Sequence, residues 1–107
     1  MGKRQRKHIF LYVLRLEGDK YYVGQSRNLT DRLKKHFEGR GSSWTRLHRP
    51  VEVVSTVELG TISWITAIRA ETYLTLDLMK IYGTDNVRGG AYTACILPSA
   101  PITCSYE

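Results

Sequence analysis

A chain of 107 residues that is 42% hydrophobic, with seven tyrosines and two tryptophans, is long enough for one globular core and too short for two domains joined by a linker. Its apolar runs break on charged or polar residues short of a membrane span. Its two cysteines, Cys95 and Cys104, are too sparse for a disulfide-stapled module, so both read as reduced packing thiols of an intracellular, cytoplasmic protein. The net charge of +6 is unevenly placed: residues 1–50 carry thirteen Lys and Arg against four Asp and Glu, or +9, while residues 51–107 carry three against six, or −3. The first half is therefore suited to a polyanion such as nucleic acid.

Residues 1–8 read as a basic tail, 9–97 as the domain and 98–107 as a second tail. Ile9 to Leu16, "IFLYVLRL", is a short apolar run typical of a buried strand. "EGDK" supplies a turn and Lys20 to Gly24 a returning strand, which together make a β-hairpin. The turn length decides which tyrosine shares a face with Tyr12: a two-residue turn selects Tyr21, an odd-length turn Tyr22. Asn28 can cap a helix whose third position is Asp31. Leu29, Leu33 and Phe37 are its inward stripe, and Gly39 and Gly41 end it.

"GRGSSWTRLHRP" follows as a loop and "VEVVSTVEL" as a third strand rich in β-branched residues. From Ile62 to Tyr82 the apolar residues return at helical spacing, and Gly83 terminates the run. "TDNVRGGAYTACILP" reads as a glycine turn and a short extended segment. The order β-β-α-β-α implies an α/β (α+β) domain: a small three-stranded antiparallel sheet flanked by helices.

Two constellations carry chemistry. Arg32 and His36 are four apart and share one side of the first helix, at the edge of its apolar stripe, while Lys34 and Lys35 point away. Glu71 lies in the middle of an apolar face made by Trp64, Ala67, Ile68, Leu74, Leu78 and Tyr82, with Thr75 its only polar neighbour. A carboxylate there needs a cationic partner or a divalent metal. Paired Gly89 and Gly90 beside Arg88 either end the helix or form an anion-binding nest. In the loop, Arg40, Arg46 and Arg49 offer charge, Ser42, Ser43 and Thr45 hydroxyls, and Trp44 a flat face that either stacks on a base or packs into the core. The sequence contains no CxxC pair, HExxH, P-loop or Ser-His-Asp set.

Taken together, "LYV" at 11–13, "YVG" at 22–24, Arg32 with His36, Glu71 and Asn86 resemble the GIY-YIG nuclease family, over nearly the whole domain and in the family's order. "GTDNVRGGAYT" is similar to small stand-alone members from viruses and phages. Phe10 and Leu11 stand where the first motif has Gly and Ile. The resemblance implies a metal-dependent endonuclease acting on DNA, with a silent nucleic-acid-binding module as the competing reading. It gives Tyr12 contact with the attacking water, places Tyr22 near the same phosphate, and assigns Arg32 to the developing charge. His36 would tune a tyrosine, Glu71 would hold one Mg2+ (or Mn2+), and Asn86 would support the site. Arg27, Lys35, Arg40, Ser43, Trp44, Arg46, His48, Arg49 and Arg88 are the expected DNA contacts, on a substrate that is duplex, branched, nicked or flapped. A double-strand cut would need a homodimer or two visits by one site.

Overall fold

The computed structural model describes residues 6–93; Cys95, Cys104 and the segment 98–107 lie outside them. The elements are β1 (Arg6–Leu16), β2 (Lys20–Ser26), α1 (Leu29–Phe37), α2 (Ser43–Leu47), β3 (Pro50–Ser63), α3 (Trp64–Tyr82), a 3-10 turn (Thr84–Asn86) and β4 (Val87–Gly89). β1 thus begins three residues before the expected Ile9, because Arg6, Lys7 and His8 pair with Ser63, Ile62 and Thr61.

The sheet is mixed, in the order β3-β1-β2-β4. The expected antiparallel strands are present as β3-β1-β2, and a fourth, β4, pairs with β2 in parallel, Tyr21 to Val87 and Tyr22 to Arg88. At three residues, β4 is too short to show a period. The hairpin turn has odd length: Leu16 pairs with Lys20 across Glu17, Gly18 and Asp19, and both Gly18 and Asp19 have positive φ. Tyr12 opposite Gly24 and Leu14 opposite Tyr22 therefore put both tyrosines on one face.

That face packs Tyr12, Leu14, Leu16 and Tyr22 against Leu29 and Leu33 of α1 and Trp44 of α2. The opposite face packs Leu11, Val13, Tyr21, Val23 and Val87 against Met79, Leu74, Leu78 and Ala70 of α3. Tyr21 stacks there on Tyr82 with ring centroids 4.0 Å apart, which removes it from the Tyr12 side. β3 is an edge strand, and Val51, Val53, Val54 and Val57 are exposed on it. The ion pair Arg15–Glu52 and a hydrogen bond between His8 and Glu58 tie it to β1.

Asn28 caps α1 by accepting the Asp31 N–H at 3.1 Å, yet Phe37 is exposed and His36 is the inward residue of the last turn. At the start of α3, Trp64 and Ile65 are exposed as well, and Ala67, Glu71, Thr75 and Met79 line the buried face.

The expected loop after α1 contains α2. Ser42 caps it by accepting the Thr45 N–H, and Trp44 turns inward, 3% exposed, with Nε1 donating to the Tyr21 carbonyl at 3.0 Å. Arg88 lies over the Trp44 ring, 4.4 Å from its centroid, and donates to the carbonyls of Thr84 and Val87. Both residues are core, so neither is the surface DNA contact that the sequence suggested. A tryptophan and an arginine shield each other there, which no linear pattern announces.

Candidate active site

Tyr12 is positioned by its strand partner. A Cβ at Gly24 would fall 2.3 Å from both Cζ and the hydroxyl oxygen of Tyr12, so the phenol crosses β2 only because residue 24 has no side chain. The Tyr12 and Tyr22 rings lie 6.3 Å apart, and His36 lies 5.5 Å from the first and 5.1 Å from the second. A Cβ at Gly41 would fall 2.1 Å from His36 Nδ1, so the chain after α1 closes over the imidazole by the same means.

Hydrogen bonds give this cluster a direction. His36 Nε2 is 2.7 Å from the Tyr12 hydroxyl, and Nδ1 is 3.0 Å from Thr45 Oγ1. Thr45 donates its own proton to the Ser42 carbonyl at 3.1 Å, so its oxygen accepts from Nδ1–H. Nε2 is then the bare nitrogen, and the Tyr12 hydroxyl donates to it. Burial, with the Arg32 charge second, lowers His36 to about 4, which keeps the ring neutral at pH 7 and leaves Nε2 free to accept the Tyr12 hydrogen bond.

Arg32 is half-buried and interacts with both phenol oxygens; although burial opposes it, these contacts hold its guanidinium more firmly charged than usual. Burial, then the neighbouring Tyr22, raises Tyr12 despite Arg32. Burial, then Glu71, raises Tyr22, with Arg32 and Ser42 opposing. Both tyrosines are therefore held as phenols at neutral pH. Glu71 is 7% exposed, and burial raises its carboxyl, while the Gly90 N–H and the Arg32 charge pull it down.

His36 makes stability pH-dependent. Its folded value of about 4 lies below the unfolded value of 6.5, so the unfolded chain takes up the proton first. The contribution is complete above pH 6.5 and is lost as pH falls through 4. Urea unfolding at pH 7 and pH 5 is expected to differ by roughly 2 kcal/mol from this residue, and His36→Gln to flatten that difference. An unchanged slope in the variant would show that the imidazole is not buried neutral.

A family model described as the GIY-YIG catalytic domain matches residues 8–80, from β1 through nearly all of α3. The chain belongs to the GIY-YIG family. Among curated proteins it is 33% identical over 64 residues to the UPF0213 protein YazA of Bacillus subtilis (strain 168), covering 60% of this chain and 63% of that one. A UPF0213 protein of Cupriavidus necator is 32% identical over 62 residues, covering 58% and 65%. Another, of Bacillus velezensis, is 43% identical over 44 residues, covering 41% and 44%. These relatives are bacterial, so the likeness to viral and phage members receives no support from them. The matched part spans less than two thirds of the length of each. No solved structure matches the chain significantly.

Of the residues read from the GIY-YIG motifs, Tyr12, Tyr22, Arg32, His36 and Glu71 come together, and Asn86 does not. Its amide donates to the Tyr82 carbonyl and its oxygen accepts from Lys20, which places it in the α3–β4 turn. Arg27, Lys35, Arg40, Ser43, Arg46 and Arg49 are exposed, with Arg40 paired to Glu38. His48 is half-buried with its ring edge on Trp44; burial, then Lys20 and Arg88, lowers it. Thr45 and Ser42, which the sequence marks only as loop hydroxyls, orient His36 and touch Tyr22. The "SSWT" cap signal could have marked them. Gly89 and Gly90 pack against Thr75 and Thr72 of α3, and the Gly90 N–H is spent on Glu71 instead of an external phosphate.

Among the described residues no three His, Cys, Asp or Glu side chains converge as a metal cage. Glu71 closes no ion pair there, and Arg32 acts on it only through space. One buried carboxylate without a paired cation fits Mg2+, which binds through one or two carboxylates and keeps its other positions for water and phosphate oxygens.

Proposed function

We propose that this domain is an endonuclease that hydrolyses phosphodiester bonds in DNA, with Tyr12 as the group that meets the attacking water. The observation that carries this reading is the directed chain from the Tyr12 hydroxyl to a neutral His36 and on to Thr45. A phenol of raised pKa is a poor base alone. A phenol that passes its proton to Nε2 as it takes one from water need never stand as a phenolate. The water oxygen bonds to phosphorus, its proton moves to Tyr12, the Tyr12 proton moves to His36, the P–O bond to the leaving sugar oxygen breaks, and that oxygen takes a proton from solvent water while His36 returns its own to solvent.

Tyr12, Tyr22, His36 and Glu71 are all buried, and Arg32 is the outermost of the set. The phosphate meets this guanidinium first, which places fixed positive charge where negative charge develops. Glu71 would hold the divalent cation, Mg2+ or Mn2+, which supplies Lewis-acid charge when bound. Exposed Arg27, Lys35, Arg46 and Arg49 hold flanking phosphates without reading sequence. One site cuts one strand, so a double-strand break requires a second copy or a second visit.

Arg32→Ala and Glu71→Gln are expected to reduce cutting of labelled duplex by about 10²-fold or more, with DNA affinity in EDTA held within a few-fold by the basic surface. Affinity falling in step with cutting would mean that these residues position substrate, and binding by the wild type without cutting in Mg2+ would make the domain a silent module.

A further inference from the structure

Trp64 is 64% exposed at the start of α3, an unusual place for an indole. It forms one wall of an open cavity of about 480 Å³ at the end of the sheet, whose other walls include Ile62, Gln25, Lys7, Arg27 and Arg32. The volume lies within the usual range for small-molecule sites, about 300–1,000 Å³. Three cationic side chains, one flat aromatic face and one carboxamide are the groups that phosphates, a π-face and a base edge respectively require.

We infer that this cavity is a subsite for one unpaired nucleotide of the DNA strand, its base stacked on Trp64 and its phosphates held by Lys7 and Arg27. The inference rests on the nuclease reading only for its position: Arg32 lines the cavity and also interacts with Tyr12 and Tyr22, so a nucleotide there is adjacent to the phosphate being cut. A base inside a duplex offers no free face, so the subsite selects strands with an unpaired nucleotide beside the scissile bond. Gln25 supplies both a donor and an acceptor, which suits tolerance of all four bases more than choice among them. The buried Trp44, the other aromatic of this kind, has no role in it.

The test is made in EDTA, so that it is independent of cutting. Oligothymidylate is titrated against the protein while tryptophan fluorescence and binding anisotropy are followed, with blunt duplex as the comparison. Quenching is expected on oligothymidylate binding and is expected to vanish in Trp64→Phe, whose only indole is Trp44. Trp64→Ala is expected to weaken oligothymidylate binding about ten-fold or more and blunt-duplex binding by less than two-fold, with an unchanged melting temperature, and Trp64→Phe to restore most of the affinity. Equal loss on both DNAs, no loss on either, or quenching that persists in Trp64→Phe would overturn the subsite. Quenching by a protein that cuts nothing in Mg2+ would refute the nuclease reading and leave the subsite standing; cutting without quenching would do the reverse.

Discussion

Tyr12→Phe is expected to lower the cleavage rate by about 10²–10⁴-fold, the usual contribution of a positioned proton acceptor, while leaving DNA affinity unchanged. The phenylalanine ring fits the space above Gly24, so the variant removes one oxygen and little else. That oxygen is the one 2.7 Å from His36 Nε2, and its loss leaves a buried ring nitrogen without a partner. A stability loss of about 1–3 kcal/mol accompanies the change. It is too small to account for the rate, because the folded fraction stays near unity at room temperature. Single-turnover cleavage and urea unfolding on the same preparation separate the two. A rate within ten-fold of wild type would remove Tyr12 from the chemistry and make its hydroxyl a packing feature.

Gly24→Ala is expected to be nearly as damaging, by a different route. Its methyl carbon would lie 2.3 Å from Tyr12 Cζ and hydroxyl oxygen and 2.8 Å from Cε1, and this ring is buried between β2 and α1. The ring must move, and with it go the His36 hydrogen bond and the contact with Tyr22. Overpacking of this kind costs about 1–3 kcal/mol, or roughly 4–20 °C in melting temperature for a domain of this size, and cleavage falls by at least the Tyr12→Phe factor. Gly18→Ala is the matched control. Gly18 has φ +75 in the hairpin turn, and a methyl group there would meet nothing within 4 Å, so the variant is expected to lose about 1 kcal/mol to backbone strain and to retain cleavage. Equal activity loss in both variants would mean that stability alone limits the rate.

The parts of the fold that were legible from sequence are those with a period or a cap. The β1–β2 hairpin, α1 with its Asn28 cap and α3 with its Gly83 end repeat apolar residues often enough to be read. Glu71 was legible because it interrupts an apolar face. β4 was not, since three residues carry no period and Arg88 resembles a surface charge until Trp44 is found beneath it. α2 is five residues long and is announced only by its Ser42 cap. The two tryptophans exchanged roles for a reason that depends on tertiary placement: Trp44 is drawn inward by the Tyr21 carbonyl and Arg88, whereas Trp64 opens α3 directly after the last residue of β3 and stays in solvent. The sequence left the hairpin register open, and the three-residue turn settles it in favour of Tyr22. Asn86 was read from the motif order, but its side chain is engaged by Lys20 and Tyr82 at the far end of α3.

The most direct measurement is cleavage of an end-labelled duplex carrying an unpaired flap by the purified wild-type chain, in Mg2+ and in EDTA, beside Tyr12→Phe and Glu71→Gln. Discrete cut products in Mg2+ that vanish in EDTA, and that both variants fail to form while still binding the DNA, are the predicted result. Equal cutting by wild type and Tyr12→Phe, or no cutting by any of the three in Mg2+ or Mn2+ while each binds DNA, would contradict a nuclease site built on Tyr12, His36, Arg32 and Glu71.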